Sequence, residues 1–238
     1  MRNALGKEFQ MKKVLCICLI WLVLLGMVGC GKEACDDCTG DETTVTTQTG
    51  KPTTAAKPII YLYPKEETEC TVKLTLRGEL TCTYPAYGEK GWQNFTAYPD
   101  GTLVFPDGME YYALYWEGIQ NVAWDLSQGW CVAGTDTAAF LDWALAQLGL
   151  TRREANEFIV YWLPLMQENP YNVISFQTAV YTDNAVLEVT PAPDSMLRVF
   201  MTFYPSDELL EIQPQELPGF TRVGFTVVEW GGSLVSAP

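Results

Sequence analysis

Histidine is absent from all 238 residues. Its absence removes the commonest general base, the usual activator of a serine or cysteine nucleophile, and most transition-metal sites. A glycine-rich phosphate loop, a G-x-S-x-G elbow, an S-x-x-K pair and a dinucleotide fingerprint are missing too, so nucleotide-dependent and serine-hydrolase chemistry have no basis in the sequence. Basic residues are few, 15 Lys and Arg against 29 Asp and Glu. Beyond the N-terminal region the only adjacent basic pair is Arg152-Arg153. Phosphate backbones are held by Lys/Arg clusters, so nucleic acid is not an expected partner. No cofactor is implied.

The chain also lacks an apolar run long enough for a comfortable membrane span, which takes roughly twenty residues. Val14 to Gly29 is uncharged and apolar but falls short, and Lys12-Lys13 precede it. This is the layout of a signal peptide over residues 1–29, with Met11 the expected start. The run ends Met27-Val28-Gly29-Cys30-Gly31, which resembles the lipobox of bacterial lipoproteins, with Met27 where leucine is usual. The resemblance implies lipid on Cys30, a membrane partner through that lipid, and an extracytoplasmic location. Cleavage after Gly29 removes four basic residues and one acidic one, so 11 basic residues face 28 acidic ones and the net charge becomes −17. An acidic surface of that kind favours solubility.

Lipidation of Cys30 leaves Cys35, Cys38, Cys70, Cys82 and Cys131, an odd number that cannot all pair within one chain. Cys35-Asp-Asp-Cys38 lacks the second pair or the histidines of a zinc site and reads as a local disulfide or two free thiols. Cys70 and Cys82 flank an expected hairpin, where they either face each other or stay free. No metal site is expected. Asp100, Asp107 and Asp183 sit in turn-like contexts without a twelve-residue calcium loop.

Residues 30–57 carry almost no large apolar side chain and read as a lipidated cysteine followed by a disordered tether. A single domain is expected over 58–238. Thr71–Leu76 and Leu80–Tyr84 alternate apolar and polar around Arg77-Gly78-Glu79, a hairpin pattern. Turns at Pro99-Asp100-Gly101 and Pro106-Asp107-Gly108 separate further strands up to Glu117. The period then changes. A helix is predicted from a cap at Thr135 or Asp136 to Leu148, ended by Gly149. A second opens on a Thr151/Glu154 capping box and stops at Pro164. Strands return at Val173–Phe176, Ala185–Thr190, Met196–Tyr204, Leu210–Ile212 and Gly224–Trp230. The order predicts an α+β fold, a mostly antiparallel sheet with a helical hairpin inserted mid-chain and packed on it.

Without histidine, the chemistry rests on carboxylates and aromatics. Glu117 and Glu229 are single acids in apolar strands, where burial would raise a carboxyl pKa toward general-acid character; paired, they would suit a glycosidase-like hydrolase. Pairing with an arginine, Arg198 or Arg222, is the plainer account of such an acid. Eight tryptophans and twelve tyrosines supply candidate stacking surfaces for a polysaccharide or protein ligand, foremost Tyr115, Trp116, Trp162 and Trp230. Core packing is the plainer account of these as well. The leading expectation is a lipid-anchored binding or interaction domain, ahead of the hydrolase using Glu117 and Glu229 and of a structural surface protein.

The series Lys57-Pro58-Ile59-Ile60-Tyr61-Leu62-Tyr63-Pro64, Pro99-Asp100-Gly101-Thr102-Leu103, Tyr115-Trp116-Glu117, Tyr161-Trp162-Leu163-Pro164-Leu165-Met166 and Val228-Glu229-Trp230-Gly231-Gly232 resembles a family of uncharacterised microbial surface or secreted proteins carrying KPxIYLYP, PDGTL, FWE, YWLPxM and VEWGG in that order. The resemblance implies one domain and no mechanism. It directs attention to Glu117, Trp162, Pro164 and Glu229 to Gly232.

Overall fold

The computed structural model describes residues 52–238. The expected signal peptide, Cys30 and the Cys35/Cys38 pair lie outside the described residues. The fold is α+β, as expected, in three layers. A seven-stranded sheet is packed on one face by a five-stranded sheet and on the other by a helical hairpin.

The large sheet runs in the order β3 (Gly78–Tyr84), β7 (Leu114–Asn121), β1 (Pro52–Tyr63), β12 (Thr226–Leu234), β11 (Ser195–Ser206), β9 (Tyr171–Phe176), β8 (Trp130–Ala133). Every neighbouring pair in it is antiparallel except β11 with β12. The small sheet is antiparallel, in the order β10 (Ala185–Thr190), β2 (Thr68–Leu76), β4 (Trp92–Ala97), β5 (Leu103–Val104), β6 (Glu110–Tyr111).

Side chains alternate across a strand, so each strand of the large sheet feeds two cores. On β1, Ile60 and Leu62 face the small sheet while Ile59 and Tyr61 face the helices; on β12, Val227 and Val228 divide in the same way. These strands are apolar on both faces because both faces are covered, the pattern of a sheet buried between layers.

The helical hairpin follows its local signals. α1 (Thr137–Leu148) buries Phe140, Leu141, Ala144, Leu145 and Leu148, and ends where Gly149 takes a left-handed φ of 94°. α2 (Arg152–Trp162) opens on the capping box: Glu154 N–H donates to Thr151 Oγ1 and Thr151 N–H donates to the Glu154 carboxylate. Pro164 converts the next turn, Leu163–Leu165, to a 3-10 helix. Asn172, fully buried on β9, ties the hairpin to the sheet by donating to Thr137 Oγ1 and Met166 O while accepting from Asn169.

Several expectations are corrected. β1 starts at Pro52, inside the stretch read as tether; Ala55 is fully buried and residues 52–55 pair with β7 through backbone groups, which need no apolar side chains. β2 and β3 do not form a hairpin. The chain passes from the small sheet to the large one at Arg77–Gly78, where a Cβ on Gly78 would lie 2.1 Å from Ile119 O, leaving room for glycine alone. Cys70 and Cys82 therefore sit in different sheets as free thiols, and burial pushes the Cys70 thiol up to about 11. Leu210–Ile212 forms no strand, whereas β8 and the short helix α3 (Ala179–Asn184) form where none was expected. The two Pro-Asp-Gly segments do turn: Asp100 and Asp107 accept from the backbone N–H two residues on.

Glu154 is 1% exposed and takes hydrogen bonds from Arg222 as well as Thr151. Burial alone would raise its carboxyl pKa, but the Arg222 guanidinium and the Thr151 amide hold it below the usual 4.5. A folded-state pKa below the unfolded one stabilises the fold above the unfolded pKa, and that contribution is lost as pH falls through the folded value. Glu154→Gln should therefore lower the urea midpoint near neutrality, and the gap between variant and parent should close as the titration is repeated from pH 6 down to pH 3.

Candidate functional site

Glu117 and Glu229 lie on opposite faces of the large sheet. Glu229 shares its face with Val227, Leu114 and Trp116, between the two sheets, whereas Glu117 alternates with Trp116 and points to the helix side with Tyr115. The two carboxylates cannot flank one scissile bond, so the paired-acid hydrolase is corrected on geometry.

Glu229 is fully buried. Arg198 stands directly across from it on β11 and donates from Nε to Oε2 at 2.6 Å, while the Trp116 indole N–H donates to Oε1 at 3.0 Å. The Arg198 guanidinium lies 4.8 Å from the centroid of the Tyr181 ring, which is itself fully buried and stacked on Phe200. Burial opposes the arginine's charge, yet the facing Glu229 carboxylate keeps its pKa above the ordinary value; burial and that same carboxylate push the Tyr181 hydroxyl well up. Of the two arginines suggested by the sequence, Arg198 takes Glu229, and Arg222 takes Glu154.

Trp116, Trp162 and Trp230 are each at most 1% exposed, so none can stack on a ligand; this corrects their assignment to a binding surface. Trp230 donates to Tyr61 Oη at 3.2 Å, and Tyr61 in turn donates to Glu157 Oε2 at 2.6 Å. Trp162 lies over the Gly-Gly pair of β12: a Cβ on Gly232 would fall 2.7 Å from its Cζ2, and one on Gly231 would fall 3.0 Å from Pro58. The motif residues thus meet in space as a packing signature. A side chain at Gly232 would push the helix layer from the sheet, and one at Gly231 would push β12 from the neighbouring β1.

Tyr115 alone among the named aromatics reaches solvent, half-buried on the helix side. Beside it β1 bulges at Lys57, whose φ of 59° is rare for a non-glycine residue and stores strain on the order of 1 kcal/mol or more. The bulge is held from two sides. Glu117 Oε1 accepts from the Lys57 backbone N–H at 3.3 Å, and Lys57 Nζ lies 5.2 and 5.6 Å from the ring centroids of Tyr115 and Tyr161. Burial and the neighbouring Glu117 raise the Tyr115 hydroxyl pKa, so it stays protonated and able to donate. Tyr63 stacks on Tyr61, and Tyr112, 55% exposed, lies against Tyr61 as well. Lys57 to Tyr63 is seven residues of strand, six steps that span roughly 20 Å at the usual rise. Exposed Tyr112 and partly buried Tyr63, Tyr115 and Tyr161 line it, with Glu157 and Lys57 as polar partners. Sequence reading missed Tyr63, Tyr161 and Lys57. The period-2 alternation of Tyr61 and Tyr63 was a signal of a shared face, but not of which face reaches solvent.

A protein of Butyrivibrio fibrisolvens named "Uncharacterized protein in bglA 3'region" is 35% identical over 109 residues, which make up 45% of this chain and 97% of that protein. The chain belongs to that protein's family. No family model matches, and no solved structure matches. The relationship with the Butyrivibrio protein covers under half of this chain, and that protein's name assigns neither ligand nor reaction. Among the described residues no helix is long and apolar enough to cross a membrane.

Breaking a buried ion pair leaves an uncompensated charge and typically costs about 3–5 kcal/mol. Arg198→Met should lose that much in urea unfolding, and Arg198→Met with Glu229→Met should recover most of it. Gly232→Ala should cost roughly 1–3 kcal/mol by the same measurement, because Met201 O and Trp162 must both give way.

Proposed function

We propose that the chain is a lipoprotein, anchored outside the cytoplasm through Cys30, whose folded domain binds a polysaccharide along the tyrosine face of β1, β7 and α2. The observation that carries this reading is the cluster of exposed Tyr112 with partly buried Tyr63, Tyr115 and Tyr161 on the helix side of a rigid sheet. Tyrosine suits such a surface because it offers a flat apolar ring and a hydroxyl that hydrogen-bonds sugar oxygens, at a small entropic cost. Lys57 and Glu157 add charged hydrogen-bonding groups beside the rings. Cys30 itself lies outside the described residues, and the lipobox-like Val28-Gly29-Cys30 supports the anchor.

Affinity electrophoresis of the full chain against a panel of soluble plant and cell-wall polysaccharides tests the ligand. At least one should retard the protein. Tyr112→Ala and Tyr115→Ala should each weaken that retardation roughly five- to tenfold, equivalent to about 1–1.5 kcal/mol of aromatic contact. Retardation by none of the panel, or tyrosine variants indistinguishable from the parent, rejects the reading. The anchor has its own test: in a bacterial host, labelled fatty acid should enter the parent, and Cys30→Ala should abolish labelling and release the chain from the membrane fraction.

A further inference from the structure

On the other side of the large sheet, where the small sheet ends, a groove of about 500 Å³ is lined by Thr182 and Asp183 of α3, Val186 and Leu187 of β10, and Met196 and Arg198 of β11. It shares no residue with the tyrosine face.

Three observations define what it would take. Arginine carries five N–H donors, and Arg198 spends its Nε on Glu229 while its buried Nη2 has no hydrogen-bond partner among the described residues. That nitrogen lies sealed beside the equally unpartnered Tyr181 hydroxyl, and Nη1, which likewise makes no hydrogen bond among the described residues, is the donor left for a ligand acceptor. The charge at the groove is already balanced, because Glu229 neutralises Arg198, and Asp183 stands at the rim without an ion pair among the described residues. A further anion would meet net repulsion there, whereas a neutral acceptor such as an amide carbonyl would not. Finally, β10 is the outermost strand of the small sheet. All six of its residues pair with β2; of the backbone groups on its other edge, the Ala185 N–H donates to Tyr181 O at the end of α3, while those of Leu187 and Val189 make no backbone hydrogen bond among the described residues. The exposed face of the strand carries Val186, 43% exposed, beside Glu188, which pairs with Lys73.

We propose that this groove binds an extended peptide that adds as a strand to the free edge of β10. An apolar peptide side chain rests against Val186, Leu187 and Met196, a basic one lies beside Asp183, and a peptide carbonyl accepts from the Arg198 guanidinium. Main-chain hydrogen bonds to an exposed edge supply affinity in this mode, and the flanking pocket supplies selectivity.

The full chain in detergent is panned against a phage library of random dodecapeptides, and the selected peptides are synthesised and titrated calorimetrically. Selection should converge on apolar residues followed by a basic one, and binding should slow hydrogen exchange of the Leu187 and Val189 amides, which face the free edge, at least tenfold. Thr182→Trp, which fills the groove, and Val186→Asp, which adds a charge to its apolar wall, should each weaken peptide binding roughly tenfold or more. The unfolding midpoint and polysaccharide retardation should not change with either variant. Failure to select a binding peptide, exchange protection confined to other strands, or full affinity in both variants overturns the proposal. Displacement of the peptide by millimolar acetate or sulfate overturns it also, since the groove would then be an anion site. Because the polysaccharide readout uses the opposite side of the sheet, either binding activity can fail without the other.

Discussion

A charged pair sealed between two sheets sets the terms for the centre of this fold. Arg198 and Glu229 face each other across the parallel strand pair, and neither has appreciable access to water. Withdrawing two such charges from solvent is unfavourable unless the geometry is tight and the remaining lone pairs are met. Here the second carboxylate oxygen is met by the Trp116 indole from β7, two strands away, and the guanidinium is roofed by the Tyr181 ring from α3. One ion pair thereby fixes the lateral positions of β7, β11, β12 and α3 at once. A one-residue slip of β12 would turn Glu229 toward the apolar helix layer and Trp230 into the sandwich, so the pair also guards the register.

The helix side is organised differently, by shape. Trp162 fills the space that Gly232 leaves empty, Pro58 fills that beside Gly231, and the Lys57 bulge lifts the strand just where Pro58 must pass. Motif residues Pro58, Trp162, Gly231 and Gly232 are the places where strands, bulge and helix approach more closely than side chains ordinarily permit. Glu117 contributes by accepting the backbone N–H of the bulge.

What was legible in the sequence was local. The Thr151/Glu154 capping box, the Gly149 terminator and the Pro-Asp-Gly turns act within a few residues, and the structure has them where they were expected. Alternation correctly assigned strands such as β10 and β11 but could not name their partners, because a period of two specifies which residues share a face and nothing about the neighbour. Hence β2 and β3, adjacent in sequence and matched in pattern, belong to different sheets. The threonine-rich start of β1 reads as tether because backbone groups and the Thr53 hydroxyl hold it and it offers no large apolar side chain. The same limit applied to the site: an acid in an apolar strand reads identically whether its partner is a substrate or Arg198, and a tryptophan reads identically on a sandwich face and on a surface.

The place of β12 in the large sheet bears on how the molecule comes to exist. The last strand of the sequence lies in the interior of the sheet, hydrogen-bonded to β1 on one edge and β11 on the other. Strands therefore cannot be laid down in the order in which they leave a ribosome or a translocation pore. Until residues 226–234 arrive, β1 holds open a long apolar edge and the Arg198 guanidinium waits without its carboxylate. Pairings so distant in sequence are slow to form. The strand that completes both neighbours is thus made long after the first of them, and in the interval the uncovered edge of β1 is open to pairing with other chains.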